Sequence, residues 1–378
     1  MTPPNILLSA GEASSDMYAA QLAIALRKRA GANIFGMGGK RMSEAGVELI
    51  ADYHEVAVVG ITEVLHKIPT VIGVQRRLAR EAMRRKANLA ILVDSPGTHL
   101  GVARRVKNAG IPVGYFIGPQ IWAWRRGRVR VVKRLVKRMV VIFPFEETIY
   151  REAGVPVTFV GHPLVDIVRP TRTREEFAAE HGLDPRRPTV AVLPGSRRSE
   201  ITRNFPTILE ACSRLASGKG ALGDIQFVHA AAPEIGAAFW SAFSRPNLLV
   251  KRIEGAAYDV LNAADCAIVA SGTATVEAAL IGTPMVIVYR VAPATAMVLR
   301  HMLKTPFIGM VNLIAGRCVA PELVQGGFTP DAVEREIRRL LESTQAREEA
   351  RSALADVCAK LGPGGAIERA ADIFAAML

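Results

Sequence analysis

The sequence contains little cysteine: four residues in 378, at positions 212, 266, 318 and 358. They form no Cys-x-x-Cys pair, and no histidine lies near them at the spacing of zinc ligands. This pattern argues against a structural zinc site and against a disulfide framework. A reducing, cytosolic setting is therefore expected.

A long uninterrupted apolar run is also missing. The longest weakly charged stretch, residues 266–289, is broken by Ser271, Gly272, Glu277 and Pro284, so no membrane span is expected. The amino terminus has neither the basic region nor the long apolar segment of a signal peptide. We therefore expect a cytoplasmic protein whose contact with a membrane, if any, is peripheral.

Two common nucleotide-binding signatures are absent as well. No Gly-x-Gly-x-x-Gly follows the first predicted strand, which weakens the case for a dinucleotide. No Gly-x-x-x-x-Gly-Lys-Ser/Thr occurs, which excludes a P-loop ATPase. Any nucleotide must therefore be held by another kind of loop.

Positive charge, in contrast, is abundant. The chain has 48 Lys and Arg against 35 Asp and Glu, a net charge of +13 at pH 7. A surface this basic favours anionic partners such as nucleic acid, nucleotides or an acidic membrane. The composition, 50% hydrophobic and 22% charged, is that of a globular protein, and the length predicts two domains.

Short runs rich in Val and Ile alternate with helical patterns along the chain. Strands that are apolar on both faces and alternate with helices are typical of a doubly wound parallel sheet. Two such series are predicted. The first comprises residues 6–9, 34–36, 89–93, 113–116, 140–143 and 158–160, and the second 189–193, 225–229, 248–251, 266–269 and 285–289.

A polar stretch that contains proline, residues 161–173, separates the two series. We expect an amino-terminal domain over residues 1–168 and a carboxyl-terminal domain over 169–344. The helical segment 345–378 is expected to pack back on the first domain. Open α/β sheets bind ligands beyond the carboxyl ends of their strands, so two such domains should face a cleft that holds the site.

Two loops of the first series carry candidate chemistry. Gly11, Glu12 and Ser14 follow the first strand and open a helix, where amides could face a ligand and Ser14 could equally be a helix cap. Asp94 ends another buried strand and is the candidate general base, with helix capping as its alternative role. His99 is either a packed loop histidine or an alternative base.

Two loops of the second series suit phosphate. Ser196 and Arg197 follow a strand in a glycine turn, where free amides and a guanidinium can bind an anion. Gly272 and Thr273 would let a diphosphate approach the backbone, and Glu277 could hold a ribose by its hydroxyls. Together the two loops predict a nucleotide.

A basic run and an apolar stretch stand out in the first domain. Residues 125–138 hold eight positive residues and no acid, which indicates a solvated helix face or contact with anionic lipid or nucleic acid. Nucleic acid is the weakest of these because no aromatic residue punctuates the run. The mostly apolar residues 56–74 could pack in the core or form a membrane-contact lip. The residues expected on this lip are Val64, Leu65, Ile68 and Ile72.

Eight motifs in chain order, spanning about residues 5 to 325, resemble those of the lipid-A-disaccharide synthase family. They are Gly11-Glu12-Ala13-Ser14, Asp94-Ser95-Pro96, Trp122-Ala123-Trp124-Arg125, Pro144-Phe145-Glu146, Gly161-His162-Pro163-Leu164, Leu193-Pro194-Gly195-Ser196-Arg197, Ser271-Gly272-Thr273-Ala274 and Asn312-Leu313-Ile314-Ala315-Gly316-Arg317. The resemblance implies an inverting GT-B glycosyltransferase with two Rossmann-like domains, no metal and no cofactor. It predicts no oligomeric state.

The resemblance also implies substrates and roles. The enzyme would join UDP-2,3-diacylglucosamine to 2,3-diacylglucosamine 1-phosphate and release UDP, at the inner membrane, with anionic lipids as peripheral partners. Asp94 would be the base and Glu12 the essential acidic residue of the first loop. The residues implied on the donor-nucleotide side are Arg197, Gly272, Thr273, Glu277 and Asn312.

Five residues depart from the pattern of that family, most of them beside acceptor-side loops: Ser15, Gly97, Thr98, Gly118 and Val311. Two alternative functions stay open, the first because a fold does not fix the substrate and the second because of the departures at Ser15, Gly97 and Thr98. One is another GT-B enzyme that uses a different nucleotide sugar, for example with an undecaprenyl-linked acceptor. The other is a catalytically impaired relative that binds UDP-sugar or lipid.

Overall fold

A computed structural model describes residues 2–56, 61–119, 128–217, 224–232, 235–245, 248–293, 295–297 and 305–378. In the helices that begin at Ile61 and Arg128, side chains are described from Lys67 and from Val129 onward. The chain folds into two compact units. The first contains Met1–Pro163 and Leu361–Leu378, and the second contains Leu164–Arg300 and Thr305–Lys360.

A seven-stranded parallel sheet forms the centre of the first unit. Its strands are β1 (Asn5–Ala10), β2 (Asn33–Gly38), β3 (Glu48–Asp52), β4 (Leu89–Val93), β5 (Val113–Phe116), β6 (Arg138–Val141) and β7 (Val157–Phe159). They lie in the order β3-β2-β1-β4-β5-β6-β7. Ile6 of β1 is aligned with Ile34 on one side and Leu89 on the other. The strand order therefore reverses between β1 and β4, the position at which such sheets bind ligands.

Helices cover both faces of this sheet, since its central strands are apolar on both sides. On one face, Gly114 and Phe116 of β5 lie against Phe374. On the other face, Leu7 and Tyr115 share a core with the helices that follow β3, β4 and β5. The helices of the unit are Ala13–Ala30, Lys40–Glu44, Ile61–Arg84, Pro96–Asn108, Arg128–Leu135, Pro144–Glu152 and Ala366–Ala375, with a 3₁₀ turn at Tyr53–Glu55.

The second unit is built around a six-stranded parallel sheet. Its strands are β8 (Thr189–Leu193), β9 (Gln226–Ala231), β10 (Val250–Glu254), β11 (Cys266–Ala270), β12 (Met285–Tyr289) and β13 (Glu322–Val324), in the order β10-β9-β8-β11-β12-β13. The reversal falls between β8 and β11. The helices described in full are Leu164–Ile167, Arg174–His181, Arg198–Ala216, Ala237–Ser241, Ala257–Ala263, Thr273–Ile281, Met310–Ala315, Pro330–Glu342 and Thr344–Lys360, with a 3₁₀ turn at Gln325–Gly327.

The predicted pair of doubly wound parallel sheets is confirmed. Two short strands escaped prediction: β3 is a half-exposed edge strand with acidic residues at both ends, and β13 has only three residues. Neither carries the continuous apolar run by which buried parallel strands are recognised.

The division of the chain differs from the expected boundaries at 168 and 345. The chain enters the second unit after Pro163, because the helix Leu164–Ile167 packs against the helix Thr273–Ile281. It returns to the first unit only at Leu361. The helix Thr344–Lys360 stays in the second unit, where it contacts the helices Thr273–Ile281 and Pro330–Glu342. The returning helix Ala366–Ala375 packs against Ala13–Ala30.

Two further properties bear on the expectations from composition. All four cysteines are free thiols. None of the helices formed by the described residues combines the length and the apolar character needed to cross a bilayer.

Candidate active site

The first loop joins β1 to the helix Ala13–Ala30 and is held by Ser15. The Ser15 hydroxyl accepts hydrogen bonds from the backbone N–H groups of Gly11 (3.2 Å) and Glu12 (2.9 Å), and donates to the Glu12 carbonyl (2.8 Å). Glu12, at the helix N-cap, and Ser14 are half-buried. The departure at Ser15 thus places a buried hydroxyl under the loop that presents Glu12.

Asp16 in the same helix is a structural residue. Its buried carboxylate accepts hydrogen bonds from the backbone N–H groups of Gly39 (2.6 Å), Arg41 (3.1 Å) and Met42 (3.3 Å). These contacts supply acceptors for the start of the helix Lys40–Glu44, where the backbone donors lack partners within the helix. Asp16 therefore ties the loop after β2 to the helix after β1.

The loop after β4 holds Asp94 in an unusual backbone conformation. Asp94 and Ser95 have φ angles of 53° and 46°, in the left-handed region that non-glycine residues rarely adopt. The Asp94 carbonyl accepts hydrogen bonds from His99 Nδ1 (2.7 Å) and from the Tyr115 hydroxyl (2.6 Å). The candidate base therefore lies at the carboxyl end of β4 on a backbone that is fixed by two side chains.

His99 is a packed histidine, but it lies in the first turns of the helix Pro96–Asn108 rather than in a loop. It is fully buried, and burial lowers its pKa to about 4, so the ring is neutral near pH 7. A carbonyl only accepts, so Nδ1 carries the proton, and Nε2 accepts from the Ser9 hydroxyl at 2.9 Å. Both ring nitrogens are thus engaged by the protein.

The first and third loops are in direct contact. A Cβ atom at Gly11 would lie 2.4 Å from Ser95 Oγ, which is far inside van der Waals contact. Gly11 is therefore required for the close approach of the two loops rather than for an unusual turn. Because β1 and β4 are neighbours, this contact brings the loops that carry Glu12 and Asp94 together at one edge of the sheet.

In the second unit, the loop after β8 holds a carboxylate of its own chain. Glu200 accepts from the backbone N–H groups of Ser196 (3.2 Å) and Arg197 (3.4 Å), and its other oxygen pairs with Arg197 Nη1 (3.2 Å). About half of the Arg197 side chain remains exposed. The groups predicted to hold a phosphate are therefore able to bind an anion, and in this structure they bind Glu200.

The loop after β11 is more open. Gly272 and Thr273 are exposed, and a Cβ at Gly272 would meet no described atom within 4 Å. Thr273 begins the helix Thr273–Ile281, in which Glu277 is half-buried and accepts from the Tyr258 hydroxyl at 3.2 Å. The loop leaves room for a ligand beside the backbone, one helical turn from a carboxylate.

Asn312 is fully buried and its amide is saturated by the protein. Its Nδ2 donates to the Ala320 carbonyl (2.8 Å) and to Glu322 (2.7 Å), and its Oδ1 accepts from the N–H groups of Val319 (2.7 Å) and Ala320 (3.0 Å). Two donors and two acceptor positions are the full capacity of a side-chain amide. In this conformation Asn312 holds the chain before β13.

The expected membrane residues are only partly described. The side chains of Val64 and Leu65, like residues 125–127 of the basic run, lie outside the described part of the structure. Ile68 and Ile72 lie in the same helix as Val64 and Leu65. Ile68 is 44% exposed and Ile72 is half-buried. The helix Arg128–Leu135 buries its apolar side on the core. Its exposed basic residues, with those just after it, are Arg130, Lys133, Arg134 and Lys137.

Three contributors to these loops were missed at the sequence level. Ser9 and Tyr115 are polar residues inside apolar strand runs, and a polar residue in a buried strand is a signal that it has a specific partner. Glu200 stands three residues after Arg197, the spacing of a capping box. These patterns were available, but none of them names the partner.

The two parallel-sheet units, each with candidate loops at the carboxyl ends of its strands, have the GT-B glycosyltransferase fold. The fold matches CalG4, the calicheamicin glycosyltransferase, with a TM-score of 0.60 and 18% identity over 100% of this chain and 99% of that chain. It also matches Acinetobacter baumannii MurG, with a TM-score of 0.58 and 13% identity over 98% of this chain and 99% of that chain.

The family is shown by sequence. The model of the lipid-A-disaccharide synthetase family matches residues 6–373. The lipid-A-disaccharide synthase of Myxococcus xanthus is 47% identical over 98% of this chain and 96% of its own length. That of Solibacter usitatus is 45% identical over 97% of this chain and 96% of its own length. The chain belongs to the lipid-A-disaccharide synthase family, and is a glycosyltransferase of lipid A biosynthesis.

Three buried histidines predict acid sensitivity. Burial lowers the pKa of His99 and His229 to about 4 and of His162 to about 3. An unfolded histidine titrates near 6.5, so below that pH the unfolded chain binds protons that the folded chain does not. The free energy of unfolding should fall as pH drops from 6.5 toward 4, by up to about 1.4 kcal/mol per pH unit for each histidine.

Urea unfolding at pH 7, 6 and 5 measures this slope. His99→Asn should reduce the slope of the free energy of unfolding against pH by the contribution of about one proton. An unchanged slope would show that His99 is not neutral in the folded chain.

Proposed function

We propose that this glycosyltransferase joins UDP-2,3-diacylglucosamine to 2,3-diacylglucosamine 1-phosphate, giving the disaccharide 1-phosphate and UDP. The observation that carries this proposal is the contact between the loops of Glu12 and Asp94 at the ligand-binding edge of the first sheet. The family to which the chain belongs suggests the two acylated sugars as substrates.

Asp94 is the proposed general base. As the acceptor hydroxyl attacks the anomeric carbon of the donor, a carboxylate within hydrogen-bond reach takes its proton. The new carbon–oxygen bond forms on the face opposite the diphosphate, the bond to the diphosphate breaks, and the configuration is inverted. Asp94 is half-buried, so it can reach a bound sugar, whereas His99 is fully buried.

Glu12, with Gly11 and Ser14 beside it, is proposed to bind the sugar on the other side of the same site. The Ser15 hydroxyl fixes the backbone of Glu12. A fixed carboxylate next to the base can accept hydrogen bonds from sugar hydroxyls and orient the reacting one. This role needs no proton transfer by Glu12.

The second unit is proposed to bind UDP. The amides of Ser196 and Arg197 and the Arg197 guanidinium would stabilise the charge that develops on the leaving diphosphate. Gly272 and Thr273 would admit the diphosphate to the start of the helix Thr273–Ile281, and Glu277 would hold the ribose. Glu200 occupies the first set of donors in this structure, so the diphosphate would have to share or replace that carboxylate.

Asn312 is proposed to act on the same side as a support. Its amide has no hydrogen-bonding capacity left, so a direct contact with the nucleotide would require it to give up a protein partner. We therefore assign it the task of holding the segment beside Gly309, whose N–H is bonded to the same Glu322.

The enzyme is further proposed to work at the cytoplasmic face of the inner membrane, bound to anionic lipids. The helices Ile61–Arg84, Pro96–Asn108 and Arg128–Leu135 pack side by side on one face of the first sheet. Their exposed basic residues include Arg76, Arg80, Arg104, Lys107, Arg130, Lys133 and Arg134, and Ile68 is exposed on the first of the three. A positive face with an apolar residue suits a headgroup layer.

One assay tests the reaction. Purified protein is incubated with both acylated sugars, and the products are identified by mass spectrometry as disaccharide 1-phosphate and UDP. Transfer only to an undecaprenyl-linked acceptor would support the first alternative function. UDP binding without any product would support the catalytically impaired relative.

Replacing the proposed base should lower turnover strongly without preventing folding. Asp94→Asn is expected to lower kcat about 10²- to 10⁴-fold, the usual contribution of a general base, while UDP affinity stays the same. Asp52→Asn is the matched control, because Asp52 ends β3 of the same sheet and is half exposed. A loss of less than about threefold for Asp94→Asn would assign the base to another residue, with Glu12 the first to test.

Removing Arg197 should weaken UDP binding. Arg197→Ala is expected to weaken the binding free energy of UDP by about 1.5 kcal/mol, as measured by calorimetry. This is the low end for a charged hydrogen bond, because Arg197 already pairs with Glu200 before UDP binds. Arg214→Ala, which removes the ion pairs with Glu210 and Asp331 at the far end of the helix Arg198–Ala216, is the control. Unchanged UDP affinity in Arg197→Ala would place the diphosphate elsewhere.

Membrane binding should depend on the basic face. Reversing Arg130 and Lys133 to Glu is expected to weaken binding to vesicles that contain phosphatidylglycerol by at least tenfold, since each basic residue contributes about 1 kcal/mol. Wild-type binding should also decline between 0.1 M and 1 M salt, as the Debye length falls from about 10 Å to about 3 Å. Arg186→Glu, in the second unit, is the control. Equal binding of all variants would contradict the proposal.

A further inference from the structure

The backbone at Asp94 and Ser95 is strained, and the Ser95 side chain makes no hydrogen bond that would stabilise it. Two consecutive non-glycine residues lie in the left-handed region. Ser95 is the N-cap of the helix Pro96–Asn108, yet its side chain makes no capping hydrogen bond. Its buried hydroxyl finds no hydrogen-bond partner among the described residues. Ser95 therefore leaves the stabilisation of this conformation to other contacts, several of which come from outside the turn.

Those contacts converge on the Asp94 peptide groups. The carbonyl accepts from His99 Nδ1 at 2.7 Å and from the Tyr115 hydroxyl at 2.6 Å, and the Asp94 N–H donates to the Phe116 carbonyl at 3.0 Å. Two of the three partners belong to β5, the neighbouring strand. The third, His99, belongs to the helix that follows the turn, so the peptide is held from two sides.

His99 is itself locked in place. Ser9 on β1 donates to its Nε2 at 2.9 Å, and both side chains are completely buried. The ring edge also packs against Tyr115, with centroids 6.4 Å apart. Ser9, His99 and Tyr115 thus form a buried chain from β1 to β5, directly beneath the loops that carry Glu12 and Asp94.

We infer that His99 and Tyr115 are positioning residues for catalysis: by holding the Asp94 carbonyl, they fix the direction in which the Asp94 carboxylate leaves the strained turn. This inference rests on the proposed role of Asp94 as the base. Neither residue touches the substrate in this assignment. Because small displacements of a base cost large factors in rate, the two hydrogen bonds should appear in kcat rather than in substrate affinity.

Three substitutions test the contacts one at a time. His99→Leu removes the donor to the carbonyl, His99→Asn keeps a donor near the position of Nδ1, and Tyr115→Phe removes only a hydroxyl. We expect kcat to fall about 10- to 100-fold in His99→Leu and about 3- to 10-fold in Tyr115→Phe, with His99→Asn within about threefold of wild type. KM values and UDP affinity should stay within about threefold.

Gln75→Met is the matched control for loss of stability. Gln75 is buried and donates to the Thr98 carbonyl at 3.0 Å, in the first turn of the helix that carries His99. Its substitution removes this hydrogen bond to a backbone carbonyl, and the one that Gln75 accepts from Arg105 (2.9 Å), without removing a contact to the Asp94 carbonyl. If Gln75→Met lowers kcat as much as Tyr115→Phe at equal thermal stability, the hydrogen bonds to the Asp94 carbonyl have no specific role and the inference is wrong.

A double-mutant cycle separates this inference from the role of Asp94. In an Asp94→Asn background, Tyr115→Phe and His99→Leu should change the residual kcat by less than about twofold, since the group they position is no longer a base. Full additivity would overturn the positioning role while leaving Asp94 as the base. If Asp94→Asn alone retains wild-type turnover, the proposed base is wrong, and any remaining effect of His99→Leu belongs to another function.

Discussion

The hydrogen bonds to the Asp94 carbonyl are the interaction on which the rest of the first unit's site depends. Asp94, the proposed base, and Ser95 both lie in the left-handed region, which carries a conformational cost for non-glycine residues. His99 and Tyr115 offset that cost from inside the core. This turn also restricts the loop after β1, because only glycine at position 11 fits against Ser95. One fixed peptide thus determines the geometry of two loops.

The second unit uses a different physical solution. Its phosphate-type loop contains amide and guanidinium donors that pair with Glu200, a carboxylate in the first turn of the helix that follows the loop. A guanidinium and two amides left without an anion would be electrostatically unsatisfied, and Glu200 supplies the missing charge. The first unit thus holds the proposed base on a backbone bonded by two side chains, whereas the proposed anion-binding groups of the second unit are paired with Glu200. This contrast suits the proposed roles, since a general base must be aligned and a nucleotide must bind and leave.

The departures from the family pattern have structural explanations where they fall among the described contacts. Ser15 replaces a glycine, and its hydroxyl bonds to Gly11 and Glu12 within the loop. At Gly118 a Cβ would approach the Tyr150 hydroxyl to 2.8 Å, so a small residue leaves room for that buried ring. Gly97 is exposed with open space beside it, and nothing in the structure explains its identity. None of these positions disrupts the Asp94 turn.

The sequence by itself determined the two parallel sheets, because continuous runs of Val and Ile are typical of strands that are buried on both faces. It also determined which loops carry the candidate residues, because Asp94, Arg197 and Gly272 follow the ends of such runs. It did not determine what those residues contact. That Asn312 is saturated, that Glu200 fills the anion loop and that His99 supports Asp94 depend on contacts between segments far apart in the chain. Only the tertiary structure decided these, since hydrogen-bond partners and burial follow from packing rather than from local pattern.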